Sequence, residues 1–97
     1  MSETLYYENT CIFFDGKVLL RNFKGDKGRL TFGFMAIGEY RWVAEETERF
    51  EISEGEAIFS YKETIISVVS GSEVIIPQNT TFTVKVSQHL DYRCYYD

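Results

Sequence analysis

Few side chains in this 97-residue chain have the chemistry for catalysis. Glu48 closes the acidic run Glu45-Glu46-Thr47-Glu48. A carboxyl there can serve as a general acid if burial raises its pKa toward neutrality, and is otherwise part of a solvated turn. Tyr40 and Trp42 precede it at alternate positions, the spacing that puts side chains on one face of a strand. With Phe82 they supply aromatic surface, either for a flat ligand or for a packed core. A multi-ligand metal centre is out of reach of the single histidine, His89, which lies in the polar, loop-like run Ser87-Gln88-His89. Cys11 and Cys94 have no base placed beside them by the sequence, and free cysteines of this kind are most often inert buried thiols.

Spacing gives these residues a frame. Six residues separate Glu48 from Gly55, and five separate Gly71 from Pro77. In this order, on a chain of short strands, these are the spacings of the two halves of the cupin signature. Metal-binding cupins carry a His-x-His pair in the first half and a further histidine in the second. Here the paired positions fall on Ala44 and Glu46 counted from Gly38, or on Trp42 and Ala44 counted from Glu48, and the third falls on Phe82. No metal is therefore expected. Both counts agree on parity: even-numbered residues of the Tyr40 strand face inward, so Tyr40, Trp42 and Phe82 line an aromatic cavity with Glu48 at its edge.

The elements that must position them are strands. Apolar segments recur at Thr10 to Phe14, Lys17 to Phe23, Leu30 to Ile37, Tyr40 to Val43, Phe50 to Ile52, Ala57 to Tyr61, Ile65 to Val69, Glu73 to Ile76, Thr81 to Val86 and Tyr92 to Tyr96, about ten strands in all. Asp15-Gly16, Gly25-Asp26-Lys27-Gly28, Glu54-Gly55, Ser70-Gly71-Ser72 and Pro77-Gln78-Asn79 punctuate them. The acidic run has room for a helical turn at most. Phe82, Val84 and Val86 alternate with Thr81, Thr83 and Lys85, which assigns the first set to the core. Leu30 to Ile37 is apolar on both faces, as in a strand covered on both sides by a second sheet or a second subunit. Gly33, inside that strand, marks a barrel feature, and Gly38 a turn. The expectation is a single all-β domain over residues 1–97, a cupin-like β-barrel of jelly-roll type, with only the first few residues disordered.

Composition narrows the partners. Sixteen per cent of the residues are aromatic, against one proline, which suits a β-rich core of large side chains. A formal charge of −5 and no long basic block exclude a phosphate-backbone footprint, so nucleic acid is not an expected partner. No basic n-region followed by an apolar h-region opens the sequence and no run of about 18 apolar residues crosses it, so a soluble protein is expected. Two cysteines near opposite ends can be a staple in a secreted protein or free thiols in a reducing compartment, and the second reading, cytoplasmic, is preferred.

The strings Phe13-Phe14-Asp15-Gly16-Lys17-Val18, Gly28-Arg29 leading to Gly33-Phe34-Met35 and Gly38-Glu39-Tyr40, Pro77-Gln78-Asn79-Thr80-Thr81-Phe82 and Tyr92-Arg93-Cys94-Tyr95 stand in an order that resembles the pyrimidine/purine nucleoside phosphorylases, a family of small cupins. The resemblance implies metal-free phosphorolysis of nucleosides to a base and (deoxy)ribose 1-phosphate, with no cofactor and with nucleoside and phosphate as ligands. Glu46 to Phe50 stand where the family usually has a proline and a methionine, and Lys62-Glu63-Thr64-Ile65-Ile66 where it has a Leu-Pro turn and a tryptophan.

For that reaction Arg29, in the Gly-Arg motif, is the candidate phosphate ligand, since a guanidinium binds phosphate bidentately. Its alternative is an exposed loop arginine. Lys17, in the Gly-Lys-Val motif, is a second cation, or a solvated turn lysine. Trp42, Phe82 and Tyr40 are candidates to line or stack on the base, and Glu48 with Tyr40 to act on it. Two rivals stand beside this reading: a non-catalytic cupin module that binds a small sugar, nucleoside or nucleotide, and an interaction module whose aromatic interior is merely packed and lacks a cavity of the few hundred Å³ usual for ligands.

Overall fold

A computed structural model describes residues 4–96; residues 1–3, where disorder is expected, lie outside it. The described residues form eight strands and no helix: β1 (Leu5–Phe13), β2 (Val18–Gly25), β3 (Gly28–Met35), β4 (Gly38–Ala44), β5 (Glu48–Tyr61), β6 (Thr64–Val69), β7 (Glu73–Ile76) and β8 (Thr80–Tyr95). All pairings are antiparallel, along the path β1-β2-β3-β8-β5-β6, with β4 added to β8 and β7 to β5. The acidic run is not a helical turn. Residues 45–47 link β4 to β5, and Glu48 opens β5.

The expected ten strands become eight because two pairs of segments fuse. Phe50 to Ile52 and Ala57 to Tyr61 both lie in β5, and Thr81 to Val86 and Tyr92 to Tyr96 run through β8 up to Tyr95. Each long strand serves two halves of the sheet. The first part of β5 pairs with β7 and with the end of β8, which also pairs with β3; the second part pairs with β6 and with the start of β8, which also pairs with β4. Between them the β5–β8 register shifts around Glu54 and Glu56. The shift changes the parity of the inward face of β5, from Phe50 and Ile52 to Ala57 and Phe59, so both parts point into one core. Phe50 and Phe59 are nine residues apart on one strand, about 30 Å if extended, yet their rings are 5.1 Å apart, so β5 folds the sheet over on itself. Phe82 completes the cluster, stacked on Phe59 at 6.2 Å and 5.9 Å from Phe50. The ladder does not close: β1, β4, β6 and β7 each pair on one side only, so the architecture is all-β and cupin-like, an open antiparallel sheet wrapped around its core.

Two glycines make this close folding feasible. Gly55 sits at the β5 shift with φ +103°, and a Cβ there would lie 2.2 Å from the carbonyl oxygen of His89 on β8. Gly33 marks neither a bulge nor a corner, because the β2–β3–β8 register passes it without a shift. It is a close approach: a Cβ would stand 2.2 Å from the Tyr92 ring. The run Ser87-Gln88-His89 is likewise part of β8 and not a loop; His89 packs on Phe34 and its Nδ1 accepts the Ile37 N–H.

These contacts differ in what can relieve them. Gly33→Ala is expected to destabilise by about 2–3 kcal/mol, with partial recovery in Gly33→Ala/Tyr92→Leu, since the obstruction is a ring. Gly55→Ala is expected to cost at least as much and to gain nothing from His89→Ala, since the obstruction is backbone. Urea unfolding of the single and double variants measures both.

Candidate functional site

The inward faces of five strands converge on a cavity of about 70 Å³ at one end of the core. Leu20 of β2, Thr31 of β3, Trp42 of β4, Glu48 of β5 and Phe82 and Cys94 of β8 line it, with Tyr96 just past β8. The parity expected for β4 holds: Tyr40, Trp42 and Ala44 turn inward, while Glu39, Arg41 and Val43 are exposed.

Glu48 is the chemically distinctive group. Burial, and then the negative charges of Glu46 and Glu45, raise its pKa to about 7 against the opposing pull of Arg29. At neutral pH it is poised between acid and base. Burial and the Glu48 charge push the Cys94 thiol up, so it stays protonated and is no nucleophile. Burial likewise raises the Tyr96 phenol, which remains a hydrogen-bond donor. Cys11, half-buried on β1, is also a free thiol.

A polar ladder supports one wall. Asn22 Nδ2 donates to Asn9 Oδ1 at 2.8 Å, and Thr31 Oγ1 donates to Asn22 Oδ1 at 2.7 Å. With its own proton committed, Thr31 Oγ1 can only accept from the Tyr96 hydroxyl, 3.0 Å away. At the rim the Arg29 guanidinium lies 4.2 Å from the centroid of the Tyr96 ring and forms an ion pair with Glu46. Arg29 is thereby aimed by a ring that itself lines the cavity. Opposite, Trp42 is held edge-on by Phe13 and Phe14, at 5.7 and 5.3 Å. Its buried Nε1–H finds no acceptor among the described residues, an orphan donor that costs about 1–3 kcal/mol until something accepts it.

The structure brings together Glu48, Trp42, Phe82 and, at the rim, Arg29. It does not bring in Tyr40 or Lys17. Tyr40 is buried beside Phe14 with its hydroxyl donating to the Ala36 carbonyl at 2.7 Å, so neither its ring nor its proton reaches the cavity. Lys17 is exposed in the β1–β2 turn, where only its backbone is engaged, through Phe14 and Ala36. Phe82 borders the cavity, but it is stacked on Phe59 and packs edge-to-face with Phe50. Thr31, Asn22 and Tyr96 were not among the expected site residues. Their signal was parity: Arg29 and Thr31 share one face of β3, and Tyr92, Cys94 and Tyr96 one face at the chain's end. Among the described residues no group of three or more His, Cys, Asp or Glu is placed to hold a metal ion, and no helix is long and apolar enough to cross a membrane.

Comparison with known proteins adds a family and a fold. The sequence profile described as pyrimidine/purine nucleoside phosphorylase matches residues 8–96. A pyrimidine/purine nucleoside phosphorylase from Rhodopirellula baltica is 34% identical over 86 residues, covering 87% of this chain and 94% of that one. One from Sulfurovum sp. is 36% identical over 88 residues, covering 87% and 84%. Among solved structures, a protein of unknown function from Vibrio parahaemolyticus superposes over both whole chains with a TM-score of 0.87 at 21% identity. A putative ethanolamine utilization protein from Salmonella typhimurium gives 0.72 at 13% identity, over 97% of this chain and 95% of that one. At such identities the likeness concerns the fold.

The raised pKa of Glu48 has a measurable signature in stability. The folded protein binds this proton more tightly than the unfolded chain, so Glu48 is neutral in both states below about pH 4 and costs stability as pH rises toward 7. Glu48→Gln is therefore expected to leave the melting temperature unchanged near pH 4 and to raise it above pH 7. Discounted for partial exposure, the gain is about 1 kcal/mol. Calorimetric scans of both proteins across that range are the check.

Proposed function

This chain belongs to the pyrimidine/purine nucleoside phosphorylase family, and from that membership we propose that it cleaves purine and pyrimidine nucleosides with inorganic phosphate, without a metal or other cofactor, to a free base and (deoxy)ribose 1-phosphate. The observation that carries this reading is a largely buried carboxyl with a pKa of about 7 just inside a rim that carries an arginine. In the reaction a phosphate oxygen bonds to C1′ as the C1′–N bond breaks, and the electron pair of that bond leaves with the base. Glu48, in its protonated form, donates its proton to the departing base, and Arg29 holds the phosphate by charge-assisted hydrogen bonds. The orphan Trp42 Nε1–H is a donor for a base or sugar oxygen. The positive charge that develops on the sugar is met by phosphate, as glycoside hydrolysis meets it with a carboxylate.

The cavity, at about 70 Å³, has room for about two waters. A nucleoside enters only if rim side chains move apart. That small volume favours a second reading, a non-catalytic module whose aromatic interior is packed or takes a smaller ligand. Free thiols at both cysteines suit a cytoplasmic protein, and Ile58, Ile65 and Val69, exposed on the outer side of β5 and β6, suit a homodimer.

The deciding experiment incubates the protein with uridine, cytidine, thymidine, adenosine, guanosine, inosine and xanthosine, with and without phosphate and in the presence of a chelator, and measures free base by chromatography. The proposal expects base only with phosphate and despite the chelator; no base from any nucleoside moves the reading to the binding module. Given activity, Glu48→Gln is expected to lower kcat about a hundredfold or more. The wild-type rate should fall above about pH 7, where Glu48 loses its proton. Arg29→Ala is expected to raise KM for phosphate at least about tenfold with little change in KM for nucleoside.

A further inference from the structure

Arg29 presents its guanidinium face to Tyr96 and an edge nitrogen to Glu46, so its hydrogen-bonding edge already has an anion on it. A carboxylate and a phosphate offer a guanidinium the same thing, two oxygens in the plane of its N–H fork. Glu46 belongs to the link at residues 45–47, outside the strands, and both partners are half exposed, 48% for the Arg29 side chain and 51% for Glu46. An ion pair this exposed is worth little and is readily exchanged. Tyr96, by contrast, is held from behind by Thr31 and, through it, by Asn22. The arginine is therefore fixed by the ring, while the carboxylate on it can leave for solvent.

We propose that Glu46 is a built-in competitor for the phosphate site: its carboxylate occupies Arg29 in the resting protein, phosphate binds by taking its place, and Glu46 thereby sets the affinity for phosphate. This rests on the reading of Arg29 as the phosphate ligand.

The test is a titration with inorganic phosphate at pH 7 and constant ionic strength, followed by the NMR signal of the Arg29 Nε–H, in the wild type, Glu46→Gln and Glu45→Gln. Glu46→Gln is expected to bind phosphate about two- to fivefold more tightly, and Glu45→Gln, which removes the same charge one residue away, less than half as much more tightly. In turnover, the Glu46→Gln change should fall on KM for phosphate and not on KM for nucleoside. Equal tightening by both variants would assign the effect to general charge and overturn the competitor role, as would unchanged or weaker binding in Glu46→Gln. Absence of any phosphate-dependent shift in all three proteins would overturn the phosphate reading of Arg29 itself, and the competitor role with it.

Discussion

The pairing of β5 with β8 is the constraint from which the rest of the structure follows, because among the described residues these two strands alone are shared by both halves of the sheet. Neither half has a core without them: β1, β2 and β3 reach the core through the end of β8, and β4 through its start. The fold therefore depends on β5 bending without leaving its partner. Gly55 allows this by a backbone conformation closed to side chains and by a contact with the His89 carbonyl that a Cβ would occupy. The register shift beside it changes inward parity within one strand, so Phe50 and Phe59 meet. A strand of regular period would have turned one of them to solvent.

The site is a consequence of the same geometry. Where the two halves part at the open end of the core, aromatic packing stops short and polar residues replace it. Glu48 stands at the first position of β5 and Tyr96 just past the last of β8, so the ends of the two master strands supply the carboxyl and the ring that aims Arg29. A carboxyl at a strand's first residue is close enough to the core to lose solvent and close enough to the acidic link to feel Glu46 and Glu45. Both influences act in one direction, and Arg29 opposes them only in part.

What the sequence made legible was alternation, and what it hid was continuity and depth. Parity turned Trp42 and Phe82 inward, because along an unbroken strand side chains alternate with a period of two. The same rule put Tyr40 inward but gave no sign of how far along the strand the cavity lay; Tyr40 is inside and spent on the Ala36 carbonyl. Glu54-Gly55 and Ser87-Gln88-His89 carried the composition of turns, and in each the backbone stayed in the ladder, since polar residues on a bend facing outward look like a loop in one dimension. Gly33 was legible as an anomaly and not as a cause, because the ring it admits, Tyr92, is 59 residues away in the chain. Thr31 and Tyr96 lay on the right faces, but their hydrogen bond spans strands whose neighbourhood only the β3–β8 pairing reveals.

Two features of the site run against stability. The Trp42 Nε1–H is buried without an acceptor, and Glu48 is held where its ordinary charge is disfavoured. A core selected only for packing would replace both, since an apolar residue of similar size at either position removes the penalty. On the proposed function the two penalties suit one kind of occupant: a flat heterocycle bearing a carbonyl and a ring nitrogen can accept from the indole and take a proton from the carboxyl. Against that stands the volume of about 70 Å³, well below the few hundred Å³ usual for ligand sites. In the proposed exchange the exposed Arg29–Glu46 pair gives way to phosphate, and the Phe50, Phe59 and Phe82 cluster has no part in it.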